Sequence, residues 1–530
     1  MCHIHKILIV TTALMAFVII GCSNETGTAE RNDSDQPPFA QGLQKALDSA
    51  VKFTEGTGVS AAIIIPGQGA WTGATGISDS TSPITPDMLF NIGSTGKNYL
   101  AALVLQLVEE QTLDLDDPLS RWLPNYAYID STVTIRQLLN HTSGIFDWVE
   151  HPGSPFRIPF KDIDFEEASS PEEMLTTLVS EPYFPPGCGW HYSTTNYILL
   201  RMIVERVTQS SVSRELQRRF LDPLALFHTV VLDSGIQPGR DFNAAHAWWD
   251  VDGDGILDDI SPRSKTWMTT RSPAMMFATA EDLARWSHAL YGGELLSKES
   301  TEQMLDFHYP APGVPFSGFG LGTGVIRLWG LEFWGHLGWH YGYTTAMLYL
   351  PRNSTSLVVL ANDNNIASML LAALALLMTV GFHISPMGFI SMAAIILLLL
   401  STFLWPVGWL VHLWRKQEAH PGKQILSKSR LARISRIVAF FVVITILAVA
   451  TLYALYSLDP QGPLSWKGGT TIARMLFVLL IACCVLSTGL IVFTFLAWKD
   501  RYWSLFGQVH YTLVVLAMLT SVLYFISQIF

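Results

Sequence analysis

Beyond Pro386 the chain turns abruptly apolar, and that break limits the architectures open to it. Four segments, about 388–413, 437–456, 472–498 and 509–530, are each long enough to cross a bilayer as a helix and carry almost no charge inside. Up to Asn365, by contrast, the text is that of a globular protein rich in Gly, Pro and Trp. The chain therefore reads as a soluble domain followed by an α-helical transmembrane bundle, residues 387–530. Arg415, Lys416, Lys423, Lys428, Arg430, Arg433 and Arg436 follow the first segment with Glu418 as the sole acid, and Lys499 and Arg501 follow the third. Basic loops stay on the cytoplasmic side, which leaves the soluble domain and the extreme C-terminus outside. No charge deep within the segments points to transport.

The N-terminus predicts the same topology independently. His3, His5 and Lys6 precede the apolar run Ile7–Ile20, too short for a comfortable span and shaped like a secretory signal over residues 1–21. Ile19-Ile20-Gly21-Cys22 resembles the lipobox of bacterial lipoproteins, which would make Cys22 the acylated first residue of the mature chain; an uncleaved anchor with an incidental cysteine is the alternative. Residues 22–38, rich in Asn, Asp, Ser, Thr and Glu, read as a flexible tether. The expected location is a bacterial cell membrane, with the domain at 39–383 on its extracytoplasmic face.

That domain has no sign of a nucleic-acid partner: the net charge is -11 and there is no basic stripe. Of the five cysteines (Cys2, Cys22, Cys188, Cys483, Cys484) only Cys188 falls within it, so it holds no internal disulfide. Leu43, Leu47 and Val51 recur at helical spacing, and the apolar runs Val59–Ile65 and Ala70–Ile77 flank a Pro-Gly turn as a hairpin would. Further strands are predicted over Gly318–Leu328, Thr344–Pro351 and Ser356–Ala361, and a helix over Ile366–Val380.

The chemistry starts at Ser94-Thr95-Gly96-Lys97. A helix beginning near Ser94 stacks Lys97 beside it one turn on, giving the hydroxyl a resident base, and directs unpaired N–H groups at any anion formed there. Leu100, Leu103, Val104, Leu107 and Val108 continue the pattern as an apolar stripe, so this helix is expected to be buried. The same S-x-x-K spacing at Ser49 and Lys52 lies in a more polar helix beside the tether and is read as incidental.

Ser94-Thr95-Gly96-Lys97, LDLDDPLSRWLP at Leu113–Pro124 and IRQLLNHTSGI at Ile135–Ile145 together resemble the β-lactamase-related serine hydrolases, a family of class C β-lactamases, D-Ala-D-Ala carboxypeptidases, D-aminopeptidases and esterases. The resemblance covers roughly Phe39–Phe382. It implies an α/β (α+β) penicillin-binding-protein-like fold, an antiparallel sheet shared by N- and C-terminal strands, a helical subdomain between the motifs, and a closing helix at Ile366–Val380. Tyr192-Ser193-Thr194 matches the family's Tyr-x-Asn element, which implies that Tyr192 lies near the nucleophile and assists proton transfer; a phenol bonded to serine beside an ammonium is expected to have its pKa lowered and to act as a base or relay. His336-Leu337-Gly338 matches the Lys/His-Thr/Ser-Gly strand, which implies His336 as electrostatic helper and the amides of Ser94 and Trp339 as oxyanion donors. His141, in HTSG, is read as a structural turn. Thr194 replaces the amide and Leu337 the hydroxyl that members use for peptide-like substrates and carboxylates, which favours neutral esters or amides.

Trp148, Phe156, Phe160, Tyr183, Phe184, Trp190, Trp339, Tyr341 and Tyr343 either line an apolar cleft for a hydrophobic acyl group or are plain core. Asp250, Asp252, Asp254 and Gly255 follow the start of a calcium loop, with Asp258 and Asp259 later in place of the terminal glutamate and Asp258 the candidate ligand; a solvated acidic turn is the alternative. The expected function is a membrane-anchored serine hydrolase working through an acyl-enzyme on a small-molecule or peptide-like acyl substrate, with no cofactor required and structural calcium as the one ion considered. A penicillin-binding carboxypeptidase or β-lactamase, and a non-catalytic envelope sensor with the same pocket, are the rival readings.

Overall fold

The computed structural model describes residues 39–157, 170–232, 243–252, 254–261, 275–311, 313–328 and 331–381. Of the two compact units into which the chain divides, the first, Met1–Ala311 with Phe316–Leu328 and Glu332–His383, holds nearly all of them. The signal run, Cys22, the tether and the four C-terminal segments lie outside the described residues. Among those described, no helix is long and apolar enough to cross a membrane.

Helix α1, Ala40–Thr54, buries the stripe Leu43, Leu47, Ala50 and Val51, and stops where Glu55 turns left-handed. Ser49 sits on its exposed side, with its hydroxyl bonded back to the Lys45 carbonyl at 2.7 Å. Strands β1 (Gly58–Ile65) and β2 (Gly69–Gly76) then form a hairpin. On its other edge β1 pairs antiparallel with β12, Thr355–Ala361, in the register Val59↔Ala361. The two ends of the domain thus meet in one seven-stranded sheet of order β2-β1-β12-β11-β10-β9-β8, with β8 at Gly318–Phe319, β9 at Gly324–Leu328, β10 at Leu331–His340 and β11 at Tyr343–Leu350. The stretch Gly318–Leu328, predicted as one strand, is two: a turn at Gly320–Thr323 folds it back, with Gly322 at φ +72° and Gly320 N–H bonded to Thr323 O.

Helix α2, Gly96–Glu109, is buried along most of its length, from Lys97 to Leu105 without a break. Such an all-round apolar helix belongs in the centre of a domain. Asn98 pins it there: its amide donates to the Tyr291 hydroxyl, Gly322 O and Thr323 Oγ1, and its carbonyl accepts from the Trp286 indole. The region between the motifs carries helices α3 (Ile135–Leu139), α4 (Pro171–Thr177), α5 (Thr194–Thr208), α6 (Val212–Leu216), α7 (Ala280–Tyr291) and α8 (Lys298–Met304). It is not all helical. Strands β3 (Phe90–Asn91), β7 (Met275–Ala278) and β4 (Thr229–Leu232) make a second small sheet, and β5 (Trp248–Trp249) pairs with β6 (Asp258–Asp259).

Helix α9, Ile366–Thr379, closes the unit against α1. It buries Met369, Leu371, Ala372, Ala375, Leu376 and Leu377. Ser368 Oγ donates to Thr54 Oγ1 at 2.8 Å, and Asn365 Nδ2 to Thr54 O at 2.9 Å. A Cβ on Gly56 would lie 2.4 Å from Ser368 Oγ, so the approach depends on that glycine.

Candidate active site

Strand β3 delivers the chain into a 3-10 turn, Gly93–Thr95, and α2 starts only at Gly96, two residues later than the spacing predicted. The turn still puts serine and lysine face to face: Lys97 Nζ donates to Ser94 Oγ at 2.9 Å. Asn91 Oδ1 holds the turn by accepting the Gly93 N–H. Gly93 itself has φ +52°, and a Cβ there would come 2.7 Å from both N and O of Trp339. A Cβ on Gly338 would come 2.0 Å from Ile92 O. Two glycines therefore let β10 run in close backbone approach to the Gly93–Thr95 turn.

Lys97 is 5% exposed, and its ammonium lies over the rings of Tyr192 and Tyr197 at 5.2 and 5.8 Å. Burial lowers its pKa, while the carboxylate of Asp147 works in the opposite direction. Asp147, itself buried, accepts from the Val149 N–H and is pushed above the usual carboxylate range by burial. The sequence reading missed this residue. It follows HTSGIF in a stretch without periodicity, and only folding carries it to the lysine.

Tyr192 has a buried hydroxyl without a well-formed hydrogen-bond partner, although it interacts favourably with Ser94. Burial raises its pKa despite that interaction. The expectation of a lowered phenol pKa is therefore corrected: in this dry setting Tyr192 is a neutral phenol that can donate and pass a proton, and Lys97 is the group whose proton is loosened.

His336 lies on β10, 1% exposed, with Nδ1 donating to the Leu337 carbonyl at 2.6 Å. Burial, then the neighbouring Lys97 charge, lowers its pKa to about 3. It stands in the site as a neutral imidazole with Nε2 as an unpaired acceptor. His141 has the left-handed φ of +63° at a turn, and its Nδ1 accepts from the Ser193 N–H at 3.1 Å while its ring packs 4.4 Å from that of Tyr192. It supports the tyrosine from behind. Asn196, two residues past Thr194, faces inward and accepts from the Ser143 hydroxyl. Thr194 opens α5, and its backbone N–H serves Asp147.

The acidic loop lies apart from this group in the sequence and shares none of its members. Asp250, Asp252 and Asp254 bring ligand atoms within 4.8 Å of one another. Asp258 does not join them; it pairs with Trp249 across β5 and β6, because strand pairing rather than loop spacing fixes its place. The turn also closes on itself, with Gly255 N–H bonded to Asp250 Oδ2 and Ile256 N–H to Asp254 Oδ1. Of the aromatic residues named from the sequence, Trp148 and Tyr343 are core, Trp339 is exposed, and Phe160 lies outside the described residues.

Ser94, the buried Lys97 and Tyr192 thus come together on a frame of antiparallel sheet and helices. The family model described as Beta-lactamase matches residues 44–377, and the chain belongs to that family. It is 28% identical over 228 residues to penicillin-binding protein 4* of Bacillus subtilis, covering 42% of this chain and 49% of that protein. It is 32% identical over 203 residues to esterase EstB of Burkholderia gladioli, covering 36% and 51%. The chain thus spans about half the length of these curated relatives. Among solved structures, a D-stereospecific amidohydrolase from Streptomyces sp. superposes with a TM-score of 0.54 at 28% identity, covering 63% of this chain and 98% of that one. D-amino acid amidase from Ochrobactrum anthropi SV3 with D-phenylalanine gives 0.57 at 25% identity, covering 65% and 99%.

Proposed function

We propose that the chain is a membrane-anchored, extracytoplasmic serine hydrolase that cleaves a neutral ester or amide through an acyl-enzyme. The observation that carries this reading is the 2.9 Å contact between Lys97 Nζ and Ser94 Oγ in a partly buried setting. Neutral Lys97 takes the Ser94 proton as Oγ bonds to the carbonyl carbon, and the carbonyl π pair moves onto oxygen between the Ser94 and Trp339 amides. As the tetrahedral centre collapses, the bond to the leaving group breaks, and that group receives the proton from Lys97 through the Tyr192 phenol. Water then repeats the sequence: its proton goes to Lys97, its oxygen to the acyl carbon, and Ser94 leaves reprotonated with a free acid. The neutral His336 ring lies beside this relay, its centroid 6.4 Å from that of Tyr192. No cofactor enters any step.

Intact mass measured after mixing with an activated ester tests the reading: the acyl adduct should map to Ser94, and turnover without one would refute it. The anchoring rests on the sequence alone, through the signal run, Cys22, the basic loops and the four apolar segments. Reporter fusions after residues 383 and 420 should report opposite sides of the membrane, and palmitate labelling should be lost in Cys22→Ser. A second reading, hydrolysis of D-amino-acid amides or peptides, draws on the likeness to D-amino acid amidase and penicillin-binding protein 4*. Fluorescent penicillin labelling distinguishes it. Absence of both ester turnover and labelling would leave the sensor reading.

A further inference from the structure

Trp339 stands out on β10. The other described side chains of the strand are buried or half-buried, yet this indole is 41% exposed on the strand whose backbone touches the nucleophile's turn. Leu337, two residues back, lies on the same face, as alternate strand residues must. Around the indole gather Phe156, Tyr341 and Trp249, with ring centroids 5.8, 5.6 and 5.9 Å away. Phe156 and Tyr341 stack at 5.3 Å, and the Tyr341 hydroxyl is directed away to the Pro155 carbonyl at 2.9 Å. Within this aromatic group the indole is the one exposed member.

Resting on the hydrolase reading above, we propose that Leu337 and Trp339, backed by Phe156 and Trp249, form an apolar wall that selects esters or amides carrying a bulky, uncharged acyl group. Two features of the chain lead there. The residue whose N–H would meet the carbonyl oxygen is the one whose indole is exposed, so a substituent on the carbonyl carbon comes within reach of it. The acyl part also stays on Ser94 through both half-reactions, so a wall acting on it discriminates twice. At Leu337 a carboxylate finds no hydrogen-bond donor in the side chain and loses water against it, which is unfavourable.

The test compares kcat/KM of the detergent-solubilised full chain for p-nitrophenyl acetate, hexanoate and hemisuccinate. Hexanoate should exceed acetate by at least about tenfold, in keeping with the worth of a few buried methylenes, and the hemisuccinate should be poorest. Trp339→Ala should reduce the hexanoate-to-acetate ratio severalfold, and Trp339→Phe should retain most of it. Should the alanine variant fail to fold, Leu337→Ser carries the same expectation of a lowered ratio. A wild-type preference for acetate or hemisuccinate, or a ratio unmoved in these variants, overturns the wall. An acyl adduct on Ser94 without chain-length preference overturns the wall alone, whereas no adduct with any ester overturns the hydrolase reading as well.

Discussion

Gly93 and Trp339 are in backbone contact: a Cβ on the glycine would fall 2.7 Å from the tryptophan's amide nitrogen and carbonyl oxygen alike. The turn that carries Ser94 and strand β10 are therefore fixed against each other by the lack of a side chain. Gly93→Ala should cost roughly 1–3 kcal/mol for its φ of +52° and push the two amides apart. A displacement near 1 Å lowers rate by about 10²-fold. Ester hydrolysis should fall far more than the melting temperature suggests, and a folded, fully active variant would show that the two amides do not act together.

Lys97 must be neutral to accept the Ser94 proton, so activity should rise with pH. Because burial holds its pKa down, the rise should come well below the ordinary lysine value of about 10.4. Asp147 counters that depression while ionised. Asp147→Asn should therefore shift the rising limb of kcat/KM to lower pH. A limb that stays in place would show that the carboxylate does not govern the lysine.

Asn98 satisfies four partners around α2, all in the interior. Asn98→Leu strands the Trp286 indole N–H, at a cost of about 1–3 kcal/mol for each buried group left unpaired. Chemical denaturation should show the loss, and the labelling rate at Ser94 should fall with it as α2 loosens.

Helix α9 seals the unit through Leu376, which is 0% exposed. Leu376→Ala should cost about 2–5 kcal/mol. Limited proteolysis of the domain should accelerate accordingly. A stability unchanged by the truncation would mean that α9 does not belong to the hydrolase domain.

What the sequence made legible follows from locality. Ser94 and Lys97 are one turn apart, and a short spacing survives the change from the expected helix to the 3-10 turn observed. Tyr192, His336 and Trp339 could be named from the sequence because each lies in a short motif. The interior was hidden: dryness is a property of the folded unit, so the raised pKa of Tyr192 and the neutrality of His336 could not be read from neighbouring letters. Asp147 was missed for the same reason, since its tie to Lys97 spans some fifty positions. Asp258 was misplaced because residue counting in a loop ignores the pairing of β5 with β6. The two short strands β8 and β9 were merged because their turn is made of Gly320, Leu321 and Gly322, which an apolar window reads as strand.

A fluorophosphonate probe, which bonds only to an activated serine, addresses the Ser94 assignment most directly. The wild-type chain should be labelled on the peptide bearing Ser94, and Ser94→Ala, folded to the same melting temperature, should take up none. Labelling that persists in Ser94→Ala, or that maps to Ser49 or any other serine in the wild type, would contradict it.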